Sequence, residues 1–185
     1  MIIKNKIESM EVIKKLKLNV LPIQYFERYY EEEIKEFMAK YPAKYYAVRI
    51  ANCAMSNKHR LSVPQDELLE YCKNLTKFTI NVSSFCYKEN QILCGEIKIY
   101  KDMKIEYIVS NNSNYSVRDC YSDPDFSGQT DIYDKKIKNI KGFDTIIDYI
   151  FKYNLFDTIV EFTVFNCDVG LNNEKVVIYE LRTDY

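Results

Sequence analysis

The sequence predicts an α+β fold: mainly antiparallel sheet, with helices toward the amino terminus and one further helix before a carboxy-terminal β-hairpin. Three observations predict it. Apolar residues recur at three- and four-residue steps up to Tyr41 and again after Gly142, the period of a helix with one buried face. From Thr76 to Val109 and from Thr158 to Arg182 the period falls to two, as in a strand with one buried face. The later strands are joined by short turns, which suit antiparallel pairing and not the long crossovers of parallel strands. The chain has 185 residues, below the roughly 250 at which single cores stop growing, so residues 1–185 are expected to form one α+β domain.

The elements follow in order. From Glu8 to Lys17, Met10, Val12, Ile13 and Leu16 lie close to helical spacing among Glu and Lys, which predicts a short amphipathic helix. Pro22 stands where a first helical turn tolerates proline. Ile23, Phe26, Tyr30, Ile34, Phe37 and Met38 then follow at helical steps, so one long helix is expected up to Tyr41, closed by Pro42. Glu31, Glu32 and Glu33 read as its solvated face. Tyr45 to Ala51 reads as a buried strand, Asn52 to Ser62 as a loop, and Pro64 to Leu75 as a helix with Leu68, Leu69 and Cys72 inward. Phe78, Ile80 and Val82, then Ile97 and Ile99, then Ile105 to Val109 predict three consecutive strands in a meander. Asn111 to Tyr133 is rich in Asn, Ser and Asp and reads as a long loop, a candidate lid, because such loops are uncommon in compact domains unless they serve a function. Phe143, Ile146, Ile147, Ile150 and Phe151 predict a helix of about three turns. Thr158 to Asn166 and Lys175 to Arg182 then form a hairpin whose turn, around Val169 to Asn173, holds a glycine and two asparagines suited to positive φ.

Composition narrows the function classes. Apolar residues make up 47% and charged residues 29%, a globular balance remote from disorder. The net charge is −1, which argues against gathering nucleic acid non-specifically. No run approaches the ~18 apolar residues of a membrane span, and Met1–Lys6 lacks an apolar signal core, so a cytoplasmic protein without membrane contact is expected. Cys53, Cys72, Cys86, Cys94, Cys120 and Cys167 are irregularly spaced, without a CxxC pair and with His59 the one histidine. That pattern speaks against structural zinc and for reduced thiols serving as small apolar residues. A nucleophile pairing with His59 would need a third, orienting group that the sequence does not mark.

The final hairpin carries the most chemistry. Residues two apart on a strand share a face, so Glu180, Arg182 and Asp184 point one way. A turn centred at Leu171 or Asn172 sets Glu161 opposite Glu180 or Arg182, on that same face either way. One reading is a cross-strand salt bridge on a solvated face, worth about 0.2–1 kcal/mol. The other is that Glu161 and Glu180 hold Mg²⁺ through hard oxygen ligands while Arg182 grips a phosphate with its planar fork. Arg49, Glu96 and Arg118 also stand in strand-like contexts, as edge charges or as parts of the same cleft. Asp123, Asp125 and Asp131 could be loose oxygen ligands, but their spacing fits turn-forming aspartates better than a calcium loop.

Several segments taken together resemble a known family. These are the strand ending Ala47–Val48–Arg49, the serine-containing loop and helix after it, a meander with Gly95, the strand with Val160–Glu161–Phe162, and the closing Tyr179–Glu180–Leu181–Arg182. Their order resembles the nucleotide-binding domain of the pyruvate phosphate dikinase and phosphoenolpyruvate synthase family, which has an ATP-grasp fold. Ile50–Ala51 stands where that family has two serines, and Glu180 where it has glutamine. The resemblance implies a reduced ATP-grasp-like module that binds ATP or another phosphate with Mg²⁺, with phosphoryl transfer as a further step. It implies phosphate contacts for Arg49 and Arg182 and metal contacts for Glu161 and Glu180. Its ligand is then a small phosphate-containing molecule.

The alternative is a non-catalytic protein-interaction or regulatory module. The chain has 17 Tyr and 10 Phe, and tyrosine is enriched at protein contacts. That reading expects a protein partner, an exposed aromatic patch and no converging carboxylates. Single-stranded nucleic acid would need a basic groove that the charge balance does not promise.

Overall fold

A computed structural model describes residues 3, 6–50, 59–111 and 124–183. In chain order the elements are α1 (Lys6–Lys15), β1 (Ile23–Arg28), α2 (Glu31–Lys40), β2 (Tyr45–Ile50), β3 (Arg60–Pro64), α3 (Leu68–Cys72), β4 (Thr76–Val82), β5 (Gln91–Ile99), β6 (Lys104–Ser110), β7 (Phe126–Asp131), α4 (Lys135–Lys138), α5 (Phe143–Tyr153), β8 (Ile159–Val169) and β9 (Glu174–Arg182). The fold is α+β with two antiparallel sheets. The chain divides into two compact units, residues 21–88 and residues 1–20 with 89–185. Among the described residues no helix is long and apolar enough to cross a membrane.

The unit of residues 21–88 is a four-stranded sheet in the order β1-β4-β2-β3. Its core includes Phe26, Ile34, Phe37, Tyr46, Val48, Val63, Leu68, Phe78 and Ile80. The long helix expected from Pro22 to Tyr41 is here a strand followed by a shorter helix. Phe26 pairs directly with Phe78 across β1 and β4, their rings stacked at 5.4 Å, a contact worth about 0.5–1.5 kcal/mol beyond burial. Only Phe26 is buried in β1, so an edge strand carries no alternation, and the three- and four-residue spacing through it is accidental. Glu31, Glu32 and Glu33 form the first turn of α2, where the positive end of the helix dipole favours carboxylates. Ile34 and Phe37 bury its apolar face, with Phe37 against the ring of Tyr46.

Two further corrections belong to this unit. Arg60 to Ser62, expected in a loop, opens β3, which pairs with β2. It too is an edge strand, with only Val63 fully buried, and it ends at a proline as edge strands can. The rest of that expected loop, 52–58, lies outside the described residues. β4 does not continue into a meander with β5 and β6, because it pairs with β1 and β2. Local periodicity marks a strand but not the sheet that receives it.

The second unit is a five-stranded sheet in the order β7-β6-β5-β8-β9. Alternation sorts its two faces. Ile97, Ile99, Ile105, Val109, Val160, Phe162, Val164, Val176, Ile178 and Leu181 join one core with Ile13 of α1 and with Phe143, Ile146, Tyr149 and Ile150 of α5. Each fully buried aliphatic or aromatic side chain of this kind contributes about 1.5–3 kcal/mol. Residues 126–131, expected within a loop, form β7 and pair with β6. Their side chains are mostly exposed, so no apolar alternation announces the strand. The lid expected over the remainder of that segment falls on 112–123, outside the described residues.

The hairpin of β8 and β9 is anchored at its turn by Asn19. This side chain is fully buried. Its Nδ2 donates to the carbonyls of Val169 at 2.8 Å, Val176 at 2.8 Å and Glu174 at 3.2 Å, and its Oδ1 accepts from the amide of Asn172 at 2.9 Å. Gly170 holds φ +79, and a Cβ there would lie 2.4 Å from Asn19 Oδ1, so glycine is required both for the conformation and for the approach.

Candidate functional site

The face of the five-stranded sheet away from its helices gathers the charges. On β5, Gly95 has φ +152, and a Cβ on it would meet the carbonyl oxygen of Ile108 at 2.2 Å, so glycine there lets β6 lie close. The next residue, Glu96, stands opposite Ile108 on β6 and opposite Glu161 on β8. Glu161 in turn stands opposite Glu180 on β9. Three carboxyl groups therefore form one row across three neighbouring strands. One step along, Lys98 and Arg182 flank Ile159. The pairing of β8 with β9 shifts between Glu161 and Phe162, a bulge that leaves Glu180 and Arg182 on the polar face while Ile178 stays in the core.

Arg182 ties the row together. Its Nη2 donates to Glu96 Oε1, reaching from β9 across β8 to β5, and its Nε lies 3.9 Å from Glu180 Oε1. The side chains of Arg182, Glu96 and Glu180 are 13%, 12% and 6% exposed. Carboxyl groups set directly opposite one another on neighbouring strands destabilise a sheet, and removing charges from water costs several kcal/mol each. Arg182 supplies part of the compensation, and the break with the usual pairing rule makes this face the candidate site.

A hollow of about 280 Å³ adjoins the row, lined by Glu96, Lys98, Glu106, Ser127, Gln129 and Ile159 among others. Glu106 accepts from the Tyr100 hydroxyl at 2.7 Å and from Gln129 Nε2 at 2.8 Å, and the Lys98 ammonium lies over the Tyr100 ring at 4.8 Å. The sequence reading missed Lys98, Glu106, Ser127 and Gln129. The signal for Lys98 was present, since it alternates, as Glu96 does, with the core residues Ile97 and Ile99 along β5.

The other expected site residues are placed as follows. Glu161, Glu180 and Arg182 come together as described, and Glu96 joins them. Arg49 stands on β2 in the four-stranded sheet, opposite Thr79 and partly exposed; it is not part of the row. Asp184, Arg118 and Asp123 lie outside the described residues. Asp131 accepts from the Tyr133 amide two residues on, as turn-forming aspartates do, whereas Asp125 accepts from the Ser110 hydroxyl at 2.6 Å and the Asn111 amide at 2.7 Å, a long-range tie to the end of β6 in place of a local turn. Among the described residues, no three His, Cys, Asp or Glu side chains form a cage for a metal ion. Cys72, Cys86, Cys94 and Cys167 are free thiols. Burial pushes Cys72 up to about 12 and Cys94 up to about 11, so neither is a nucleophile at neutral pH. Cys53 and Cys120 lie outside the described residues.

Solved structures share this architecture. N5-carboxyaminoimidazole synthetase from Staphylococcus aureus, complexed with ADP, matches with a TM-score of 0.52 over 96% of this chain and 43% of its own, at 9% identity. An ADP complex of N5-carboxyaminoimidazole ribonucleotide synthetase matches with a TM-score of 0.50 over 97% of this chain and 44% of its own, also at 9% identity. The fold is ATP-grasp-like. The chain spans less than half the length of these two structures. No protein-family model matches the chain, and no curated protein matches it by sequence. Within the ATP-grasp-like fold, the carboxyl row lies on the sheet face opposite the core that α1 and α5 help to build, and Arg182 is its guanidinium among the described residues.

Proposed function

We propose that the polar face of the five-stranded sheet binds the phosphates of a nucleotide, ATP in the first instance, together with Mg²⁺. The observation that supports it is the row of Glu96, Glu161 and Glu180 with Arg182 on one sheet face, beside a hollow lined in part by Glu96, Lys98, Glu106 and Gln129. Mg²⁺ takes oxygen ligands, dehydrates reluctantly, and is usually held by one or two carboxylates plus substrate phosphates and water. Glu161 and Glu180, opposed on neighbouring strands, fit that demand, and a cage of three protein ligands is not what such an ion needs. Bound Mg²⁺ would neutralise charge on the phosphates. Arg182 presents a planar fork matched to phosphate oxygens, and Glu96 fixes its position.

For Arg49, on the four-stranded sheet, a phosphate contact is carried by the family resemblance of its strand alone. Phosphoryl transfer, where it follows binding, would proceed by positioning and charge neutralisation. The resemblance to the pyruvate phosphate dikinase family rests on the short segments named above, and the nucleotide reading does not depend on it. A cytoplasmic protein fits both a nucleotide ligand and four free thiols. The convergence of the carboxyl groups favours this reading over a tyrosine-surfaced interaction module.

The test is thermal denaturation with and without ATP and Mg²⁺. A ligand at 100 times its Kd adds about 2.7 kcal/mol, which for a chain of this size raises the melting temperature by about 5–11 °C. EDTA should reverse most of the rise. Glu161→Gln should abolish the metal-dependent part while melting near the unliganded protein. No shift at millimolar ATP and Mg²⁺, or the same shift in the variant, would overturn the proposal.

A further inference from the structure

Arg182 is itself a cation lodged in the carboxyl row. It reaches over β8 to Glu96, its Nε lies 3.9 Å from Glu180, and all three side chains are nearly buried. A guanidinium keeps its charge at any physiological pH. A bare divalent ion entering the row would meet that charge at a few ångströms in a poorly screened setting, where unit charges interact far more strongly than in water. A metal ion arriving with phosphate brings an anion whose oxygens suit the guanidinium fork, so the repulsion becomes a second attachment.

We infer that Arg182 is a resident counter-ion that closes the row to bare divalent cations, so that the metal enters only together with a phosphate group. Glu96 is the positioning residue that holds the guanidinium across β8. This inference rests on the nucleotide reading and adds an order of binding to it.

Mn²⁺ is the probe, because free Mn²⁺ is counted directly by its electron paramagnetic resonance signal. With MnCl₂ alone the wild-type protein should bind none at the row up to millimolar concentration; with MnCl₂ and ATP it should bind one. Arg182→Gln should bind Mn²⁺ alone at least about tenfold more tightly than wild type, the direction expected when a like charge is removed from a cation site. Adding Glu161→Gln to that variant should abolish the gain; a gain that survives belongs elsewhere on the protein and overturns the inference. Arg182→Met, which keeps the apolar stem, repeats the test if the glutamine variant does not fold. Wild-type protein that takes up Mn²⁺ equally well with and without ATP also overturns the inference and leaves the nucleotide reading standing. If the wild type takes neither Mn²⁺ nor ATP, the nucleotide reading fails. The variants then decide the counter-ion role by themselves: uptake of Mn²⁺ upholds it and no uptake refutes it.

Discussion

Replacing Asn19 by alanine tests how the site-bearing hairpin is held. The side chain makes two donations at 2.8 Å, a longer one at 3.2 Å and one acceptance at 2.9 Å, all to backbone groups of the β8–β9 turn region, and it is fully buried. A typical intramolecular hydrogen bond is worth about 1 kcal/mol net, and each buried group left unpaired adds about 1–3 kcal/mol. Three good bonds lost, with some of the freed carbonyls regaining water at the turn, give about 3–4 kcal/mol. The melting temperature should fall by about 6–16 °C. Urea denaturation followed by circular dichroism measures the loss directly. Asn19→Asp sharpens the test, because it keeps the acceptor for the Asn172 amide but sets a carboxylate against carbonyl oxygens. At pH 7 it should destabilise at least as much as alanine. The folded protein would hold that carboxyl protonated, raising its pKa, so stability should be recovered below about pH 3.9 and lost as pH rises above it. A loss under about 1 kcal/mol for both variants would refute the account of Asn19 as the clamp.

Two further predictions concern β5 and the thiols. Gly95→Ala places a Cβ 2.2 Å from the Ile108 carbonyl oxygen and 2.7 Å from Val109 Cα; these are backbone atoms, so the strands must part. A loss of about 2–3 kcal/mol is expected, together with any ATP-dependent thermal shift, since Glu96 is the next residue; a variant as stable as wild type would show the close approach to be unnecessary. Cys72 and Cys94, held neutral by burial with values near 12 and 11, should resist a disulfide reagent at pH 8 while Cys86 and Cys167 react faster, and rapid labelling of all four would contradict this. Their contribution to stability is complete below the unfolded thiol value of about 8.5 and declines as pH rises toward the folded values, so the denaturation midpoint should fall above about pH 9.

What could be read in the sequence was decided by burial. β8 and β9 are long and largely buried, and Gly170 with its asparagines marks their turn, so the hairpin and the shared face of Glu161, Glu180 and Arg182 were legible. β1, β3 and β7 are edge strands with few buried side chains, and an edge strand is made by hydrogen bonds to its neighbour, which composition does not record. In β1 the spacing of Ile23, Phe26 and Tyr30 even imitated a helix, although three glutamates in a row signal a helix start at Glu31. The row is completed by Glu96 through the pairing of β5 with β8, a long-range register that local periodicity cannot supply. Lys98 was readable from its alternation with Ile97 and Ile99, whereas Gln129 depends on a strand that carries no apolar pattern.

The interleaving of the two units has a consequence for how the chain is made. The amide of Ile3 donates to Thr183 Oγ1, and the amide of Leu181 donates to the Ser9 hydroxyl, so the first helix is completed by a strand more than 150 positions later. Residues 21–88 close on themselves between the two. During synthesis that middle segment can reach its native state early, while α1, which precedes it, waits for β9. Contacts between segments so far apart cost their loop-closure entropy late in folding, and until β9 arrives the amphipathic α1 has its apolar side unpaired.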